Sequence, residues 1–222
     1  MNCFSFGKTH RIEEIKAIYN HKREEIRLRL DEFRKIWRKG TEEEIFAELV
    51  FCILTPMSRA RSCWAAVENL MRKRVLFAGD ISQIGRELNG VRFIYKKSEY
   101  IVEAGKEFLI DGKASIRSMI SQINCGREAR EWLVQDVKGI GYKEASHFLR
   151  NIGFDQNLAI LDRHILKNLK FHGVIEEIPD SLSRRSYFEV ERRMMKFSKE
   201  TQIPMSHLDL VMWYKETGEI FK

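Results

Sequence analysis

Two residues of this chain combine side-chain type and position in a way that permits covalent chemistry. Lys143 lies in Lys138-Gly139-Ile140-Gly141-Tyr142-Lys143-Glu144-Ala145, and Asp162 lies in Leu161-Asp162-Arg163-His164-Ile165, nineteen residues further on. The pattern around Lys143 predicts a tight turn followed by a helix, with Lys143 in that helix's first turn. There the positive end of the helix dipole disfavours the ammonium, and an amine can act as a nucleophile once a partner takes its proton. Asp162 follows the apolar run Leu158-Ala159-Ile160-Leu161 and can cap the next helix, which fixes its carboxylate. Gly139 and Gly141 let the turn tighten and let another backbone approach. The amides of Gly141 and its successors, at a helix N-terminus, suit an anion such as a DNA phosphate, a contact independent of base sequence. A nucleophilic amine and a fixed carboxylate beside such a turn suit attack on a sugar C1′, the carboxylate stabilising oxocarbenium-like charge as the base leaves. Taken singly, each feature has a plainer reading: an αα-hairpin with a glycine turn, a solvated lysine, an N-cap aspartate. Phosphate binding alone requires neither Lys143 nor Asp162.

The chain that must position these groups has 222 residues, 39 Lys+Arg against 32 Asp+Glu, and a formal charge of +7. Hydrophobic residues make up 44%, enough for a core shared by one domain or by two small ones around a cleft. The basic excess favours a polyanionic partner. No stretch reaches the ~20 apolar residues of a membrane span, and Met1–Arg11 lacks a secretory apolar segment, so a soluble, intracellular protein is expected. Cys3, Cys52, Cys63 and Cys125 form no C-x-x-C pair and no cluster with His. A disulfide framework, a zinc site and an iron–sulfur site are therefore not expected, and Cys52 and Cys63 read as small buried hydrophobes.

Almost every periodic segment is helical. Ile15, Ile18, Tyr19, Ile26, Leu30, Phe33 and Trp37 predict one long amphipathic helix ended by Gly40. Thr41 and Glu44 form a capping box for the next. Thr55-Pro56 interrupts, and Ser58 can cap the segment carrying Cys63, Trp64, Val67 and Leu70. Shorter helices are expected between breaks at Gly79-Asp80, Asn89-Gly90, Asp111-Gly112 and Gly126. A helix over 127–137, the tight turn, and a helix to Ile152 stopped by Gly153 follow. One helix then runs from Asp162 to about Phe171, and two more follow Pro179 and Pro204. The run 158–161 is the one convincing extended segment, and a single strand makes no sheet. The fold class is all-α.

The hairpin residues 138–145 and the segment 161–165 together resemble the helix-hairpin-helix superfamily of DNA glycosylases that includes endonuclease III. Within it the chain is most similar to the short archaeal and bacterial 8-oxoguanine DNA glycosylase/AP lyases, whose hairpin reads much like Gly139 to His147 and which also end on a lysine, here Lys222. The resemblance runs from about Glu43 to the C-terminus. It implies that Lys143 is the Schiff-base lysine and Asp162 the catalytic aspartate. It implies that the backbone of Gly139, Ile140, Gly141 and Tyr142 meets DNA, and that carbonyls of Gln135, Val137 and Ile140 can hold a monovalent cation. Lys222 matches the residue that tells 8-oxoguanine from guanine, and Trp213 an aromatic of the base pocket. Asp209 lies one helical turn from Trp213, and Phe93 is a candidate for the opposite stacking face. Met57, in Thr55-Pro56-Met57-Ser58, is a candidate wedge for the gap left by the flipped base, with a core methionine as the alternative. No clustered cysteines match the iron–sulfur branch, so no cofactor of that kind is expected.

The expected architecture is two helical subdomains around a cleft: an N-terminal segment 1–42 packing with the C-terminal lobe, a helical barrel 43–156 containing the hairpin, and a C-terminal lobe 157–222. The expected function is excision of 8-oxoguanine from double-stranded DNA and β-elimination at the AP site. The enzyme is expected to be a cytoplasmic, prokaryotic monomer associated with the nucleoid when bound to DNA. Another oxidised base as the lesion, or a non-catalytic DNA-binding module, are the alternatives at this stage.

Overall fold

The computed structural model describes residues 3–110, 113–155 and 157–222. Among them are eleven helices and one pair of two-residue strands, and no helix is long and apolar enough to cross a membrane. The chain divides into two compact units, Met1–Glu32 with Gln156–Lys222, and Phe33–Asp155. The first boundary falls inside helix α1 (Cys3–Lys39), earlier than the 42/43 junction expected from sequence. The end of α1 belongs with the second unit for a local reason. Trp37 meets Phe154 edge to face at 4.9 Å, Arg150 lies over the Phe33 ring at 5.0 Å, and Arg117 donates to the Gly40 carbonyl.

The second unit is built on α2 (Glu42–Leu54), whose residues from Ile45 to Leu54 are all buried. A helix apolar all round has to be central, and α3 (Ala60–Arg72), α5 (Ile94–Glu107), α6 (Ile116–Ser121) and α8 (Tyr142–Asn151) pack on it. The Thr41–Glu44 capping box forms as the sequence predicts. Phe46 stacks on Phe77 at 4.1 Å and meets Phe108 edge to face. Buried Asn151 donates to Glu48 Oε2 at 2.9 Å, tying α8 to α2 with a polar pair the apolar surroundings strengthen. The remaining helices of this unit are α4 (Ile81–Glu87) and α7 (Gly126–Asp136). Strands β1 (Leu109–Ile110) and β2 (Lys113–Ala114) pair antiparallel on either side of Asp111-Gly112, which lies outside the described residues. That break therefore separates two strands rather than two helices. Ser58 also departs from expectation. Arg59, not Ser58, is the N-cap of α3, and its guanidinium has no acceptor to cap with; the Ser58 hydroxyl is engaged elsewhere.

The first unit holds the early part of α1, whose Ile15, Tyr19, Ile26 and Leu30 are buried, with α9 (Arg163–Phe171), α10 (Arg184–Thr201) and α11 (Met205–Thr217). Tyr19 Oη is 3.1 Å from His207 Nδ1, and Lys215 pairs with Glu14 at 2.9 Å, both joining α1 to α11. The run 158–161 is extended but joins no sheet. At its centre the Ala159 backbone is satisfied by α10 side chains instead: the amide donates to Glu191 Oε1 at 2.8 Å, and the carbonyl accepts from Tyr187 Oη at 2.5 Å.

Candidate active site

The hairpin sits in the second unit. Helix α7 ends at Asp136, the chain turns through Val137–Gly141, and α8 begins at Tyr142. Val137 and Ile140 point into the core, 3% and 6% exposed, which anchors the turn from beneath. Gly139 has φ +82, and an added Cβ there would lie 2.9 Å from Cε2 of Tyr100 and closer still to its Cδ2. Gly141 is different. Its φ of −104 and ψ of −175 are ordinary extended backbone, so no conformational demand makes this position glycine. The two helices are cross-braced by Tyr142 Oη donating to Glu131 Oε2 at 3.0 Å and by buried Arg130 donating to Ser146 Oγ at 3.1 Å. The Gly141 amide does not point freely outward as the sequence suggests: it donates weakly, at 3.3 Å, to Oε2 of Glu144.

Lys143 is the second residue of α8, with a side chain 22% exposed. Its Nζ donates to Thr55 Oγ1 at 3.3 Å and lies 3.6 Å from Glu144 Oε1. Thr55 Oγ1 in turn donates to the Cys52 carbonyl at 3.0 Å, so the hydroxyl is oriented with a lone pair toward the amine. A second lysine completes this neighbourhood. Lys97, in the first turn of α5, is 4% exposed and donates to the carbonyls of Leu54 and Pro56, both at 2.7 Å, and to Ser58 Oγ at 3.0 Å. Burial lowers its proton affinity, opposed by the nearby Cys63 and Glu144 and assisted by the charge of Lys143. Burial also pushes the Cys63 thiol up to about 11, despite the two lysines, so Cys63 is no thiolate nucleophile. Thr55, Glu144 and Lys97 were not singled out from sequence. Lys97 reads as one more charged residue on a helix; only the buried carbonyls at the end of α2 reveal its role.

Asp162 belongs to the first unit. Its Oδ1 accepts from the amides of His164 and Ile165, both at 2.8 Å, so it is the N-cap that the sequence predicts for α9. One carboxylate oxygen thus takes both amides and orients the group. Helix α11 packs on α9 and brings Trp213 against His164, ring centroids 5.1 Å apart and nearly perpendicular. Trp213 Nε1 is buried and has no hydrogen-bond partner among the described residues. His164 Nδ1 lies 4.0 Å from Glu216, whose carboxyl is held below its usual range by its hydrogen bond from Lys167. Asp209, one turn before Trp213, is 6% exposed, and the tail Ile220–Lys222 is buried, Lys222 at 9%.

Phe93 and Met57 belong to the second unit and stand on its surface, 63% and 69% exposed. At that exposure neither is a core side chain, which excludes the core alternative for Met57, and each has a positive φ, +59 and +57. Of the carbonyls implied as cation ligands, Val137 accepts the Ile140 amide in a long bond of 3.4 Å, which leaves it a lone pair. Gln135 lies in the last turn of α7, where carbonyls lack intrahelical donors. The donor set is all oxygen and uncharged, which fits a hard monovalent cation.

A helix-hairpin-helix whose second helix opens on a half-buried lysine, joined by an extended segment to an aspartate N-cap, defines a helix-hairpin-helix DNA glycosylase. The comparison with known proteins makes the family specific. The family model described as 8-oxoguanine DNA glycosylase matches residues 26–203. The chain is 43% identical over 215 residues to the 8-oxoguanine DNA glycosylase/AP lyase of Fusobacterium nucleatum, covering 97% of this chain and 99% of that one. Its fold is similar to the 8-oxoguanine glycosylase/lyase of Methanocaldococcus jannaschii solved with a 15mer DNA containing 8-oxoguanine (TM-score 0.86, 36% identity, 95% and 99% of the two chains). It is also similar to the 8-oxoguanine DNA glycosylase of Thermotoga maritima (TM-score 0.85, 33% identity, 97% and 100%). The chain belongs to the 8-oxoguanine DNA glycosylase family. The Helicobacter pylori 3-methyladenine DNA glycosylase, at 14% identity and TM-score 0.62, shares the fold alone.

Proposed function

We propose that this chain excises 8-oxoguanine from duplex DNA and cleaves the strand at the resulting AP site, with Lys143 as the covalent nucleophile. The observation that carries the reading is the position of the Lys143 amine. It sits at the start of α8 beside the glycine turn, held by the Thr55 hydroxyl at 3.3 Å with the Glu144 carboxylate 3.6 Å away. A lysine kept only for solubility would point into water; this one is directed at a hydroxyl and a proton acceptor.

In the proposed reaction the damaged nucleotide is flipped out of the stack, and the hairpin amides take a backbone phosphate. Lys143 Nζ bonds to C1′ as the C1′–N9 bond breaks and its electron pair leaves with the base. The amine's proton passes to a carboxylate, for which Glu144 is the neighbour within the same unit, and Asp162 stabilises the cationic sugar. Ring opening gives a Schiff base between Nζ and C1′. This acidifies the C2′ proton, whose removal expels the 3′ phosphate and breaks the strand. Lys222, Asp209 and Trp213 are assigned to recognition of the base, with the Trp213 N–H as a buried donor, and Phe93 to stacking. A monovalent cation on the carbonyls of Gln135, Val137 and Ile140 would add positive charge at the phosphate. No iron–sulfur cluster has a part in these steps. We assign the protein to the cytoplasm, acting as a monomer.

The test is strand scission on three duplexes of one sequence carrying 8-oxoguanine, guanine or an oxidised pyrimidine. Scission at 8-oxoguanine and not at guanine is the expected result. Scission only at the pyrimidine would overturn the lesion assignment, and binding with no scission on any duplex would overturn the catalytic one.

A further inference from the structure

The turn that touches Lys143 also carries the most exposed methionine of the second unit, and a buried cation holds the two together. Four described residues other than glycine have a positive φ, and two of them are Met57 and Phe93. Neither is Asn or Asp, which tolerate that region, so each position costs on the order of 1 kcal/mol or more and persists only because its surroundings impose it. What imposes it is visible. Met57 immediately precedes Ser58, and Phe93 immediately follows Arg92. The Ser58 hydroxyl oxygen accepts the Arg92 amide at 3.0 Å and a Lys97 proton, also at 3.0 Å. Lys97 spends its other hydrogen bonds on the Leu54 and Pro56 carbonyls. Leu54 is the last residue of α2, so the ammonium also sits at the negative end of that helix. The Ser58 amide closes the turn on the Thr55 carbonyl at 3.0 Å.

Around these prongs the surface is apolar and basic. Ile94 and Tyr95 are exposed beside Phe93, and exposed arginines flank both prongs, Arg59 two residues after Met57 and Arg92 just before Phe93. Apolar side chains that can enter a base stack, beside cations that can meet phosphates, fit a duplex and no apolar partner.

Resting on the proposed glycosylase reading, we infer that Lys97 and Ser58 form a buried clamp that joins the Met57 and Phe93 turns, so that the Met57 wedge and the Phe93 stacking face meet the DNA as one unit. Lys97 is in this account a positioning residue: it touches no DNA, and it fixes the turn from which Met57 projects. The clamp therefore matters where the stack around the lesion has to be parted, and not where the sugar is already accessible.

The experiment compares wild type with Lys97→Met, which keeps the unbranched stem and removes the donors, and with Ser58→Ala. Two DNAs carry an AP site, one duplex with 2-aminopurine next to the site and one single-stranded. Expected for both variants are loss of the 2-aminopurine unstacking signal on the duplex and about tenfold slower borohydride trapping there, since unstacking a step costs a few kcal/mol. Trapping on the single strand should stay within about twofold. Adding Met57→Ala to Lys97→Met should cost nothing further, because both act through one wedge. Equal losses on duplex and single strand, an unchanged unstacking signal, or additive losses would each overturn the clamp. If Lys97→Met does not fold, Ser58→Ala, which removes one hydroxyl, decides alone. Unstacking is read without chemistry. A wild type that unstacks but never traps overturns the proposed function, while the variants' signal still decides the clamp.

Discussion

The two glycines of the hairpin look equivalent in sequence, and the structure separates them. At Gly139 a φ of +82 disfavours any side chain, and an added methyl would overlap the Tyr100 ring, 2.9 Å from Cε2. The conformational cost is about 1–2 kcal/mol and the overpacking about 1–3 kcal/mol. Gly139→Ala should therefore lose about 3 kcal/mol, or roughly 6–12 °C in Tm for a chain of this size. At Gly141 the backbone is extended, and the new Cβ would meet only Glu144 Oε2 at 3.2 Å, the free end of a flexible side chain. Gly141→Ala should change stability by no more than about 0.5 kcal/mol. If the proposed phosphate contact is made there, it should nonetheless weaken DNA binding about tenfold, because the methyl obstructs the amide and a hydrogen bond to a charged group contributes about 1.5–3 kcal/mol. Thermal unfolding and fluorescence anisotropy with an AP-site duplex give the two readings. A destabilised Gly141→Ala beside an unaffected Gly139→Ala would refute the conformational argument. Unchanged DNA affinity in Gly141→Ala would refute the phosphate contact.

Two further outcomes follow from the first unit. His172 is buried, tilted against Phe197 at 5.4 Å, with neither ring nitrogen hydrogen-bonded among the described residues; burial first, then the charges of Lys215 and Arg11 against Glu14, lowers its pKa to about 4. The unfolded chain, with His near its ordinary value, takes the proton first. Stability is thus full above about pH 6.5 and is lost as pH falls toward 4, by about 2 kcal/mol at pH 5. Chemical denaturation at pH 7.5 and 5 should show that loss in wild type and not in His172→Leu; parallel losses would contradict it. At Asp162, Asn caps as well as Asp, so Asp162→Asn should keep the melting temperature within about 2 °C while base excision collapses. Wild-type excision by that variant would remove Asp162 from the reaction.

Much of this site was legible because it is local. Gly139, Lys143 and Asp162 occupy positions fixed by a turn or a cap, which neighbouring residues in the sequence encode. The extended run 158–161 is legible both as extended and as sheetless, but the side chains that satisfy Ala159 are not, since Glu191 and Tyr187 lie about thirty residues on, in α10. Ser58 was misread because its better partners, Arg92 and Lys97, are more than thirty residues away. Lys97 illustrates the limit most plainly: a lysine on an amphipathic helix looks solvated until the end of another helix closes over it. Met57 could be read as core or as surface from composition. Its exposure depends on a left-handed backbone that no residue type at that position announces.

The most direct test of the central assignment is borohydride trapping on an 8-oxoguanine:cytosine duplex, followed by proteolysis and mass spectrometry of the adduct. The account predicts a covalent link on the peptide containing Lys143, absent in Lys143→Gln although that variant still binds the duplex. An adduct that persists in Lys143→Gln, or one mapped to Lys97, would contradict it.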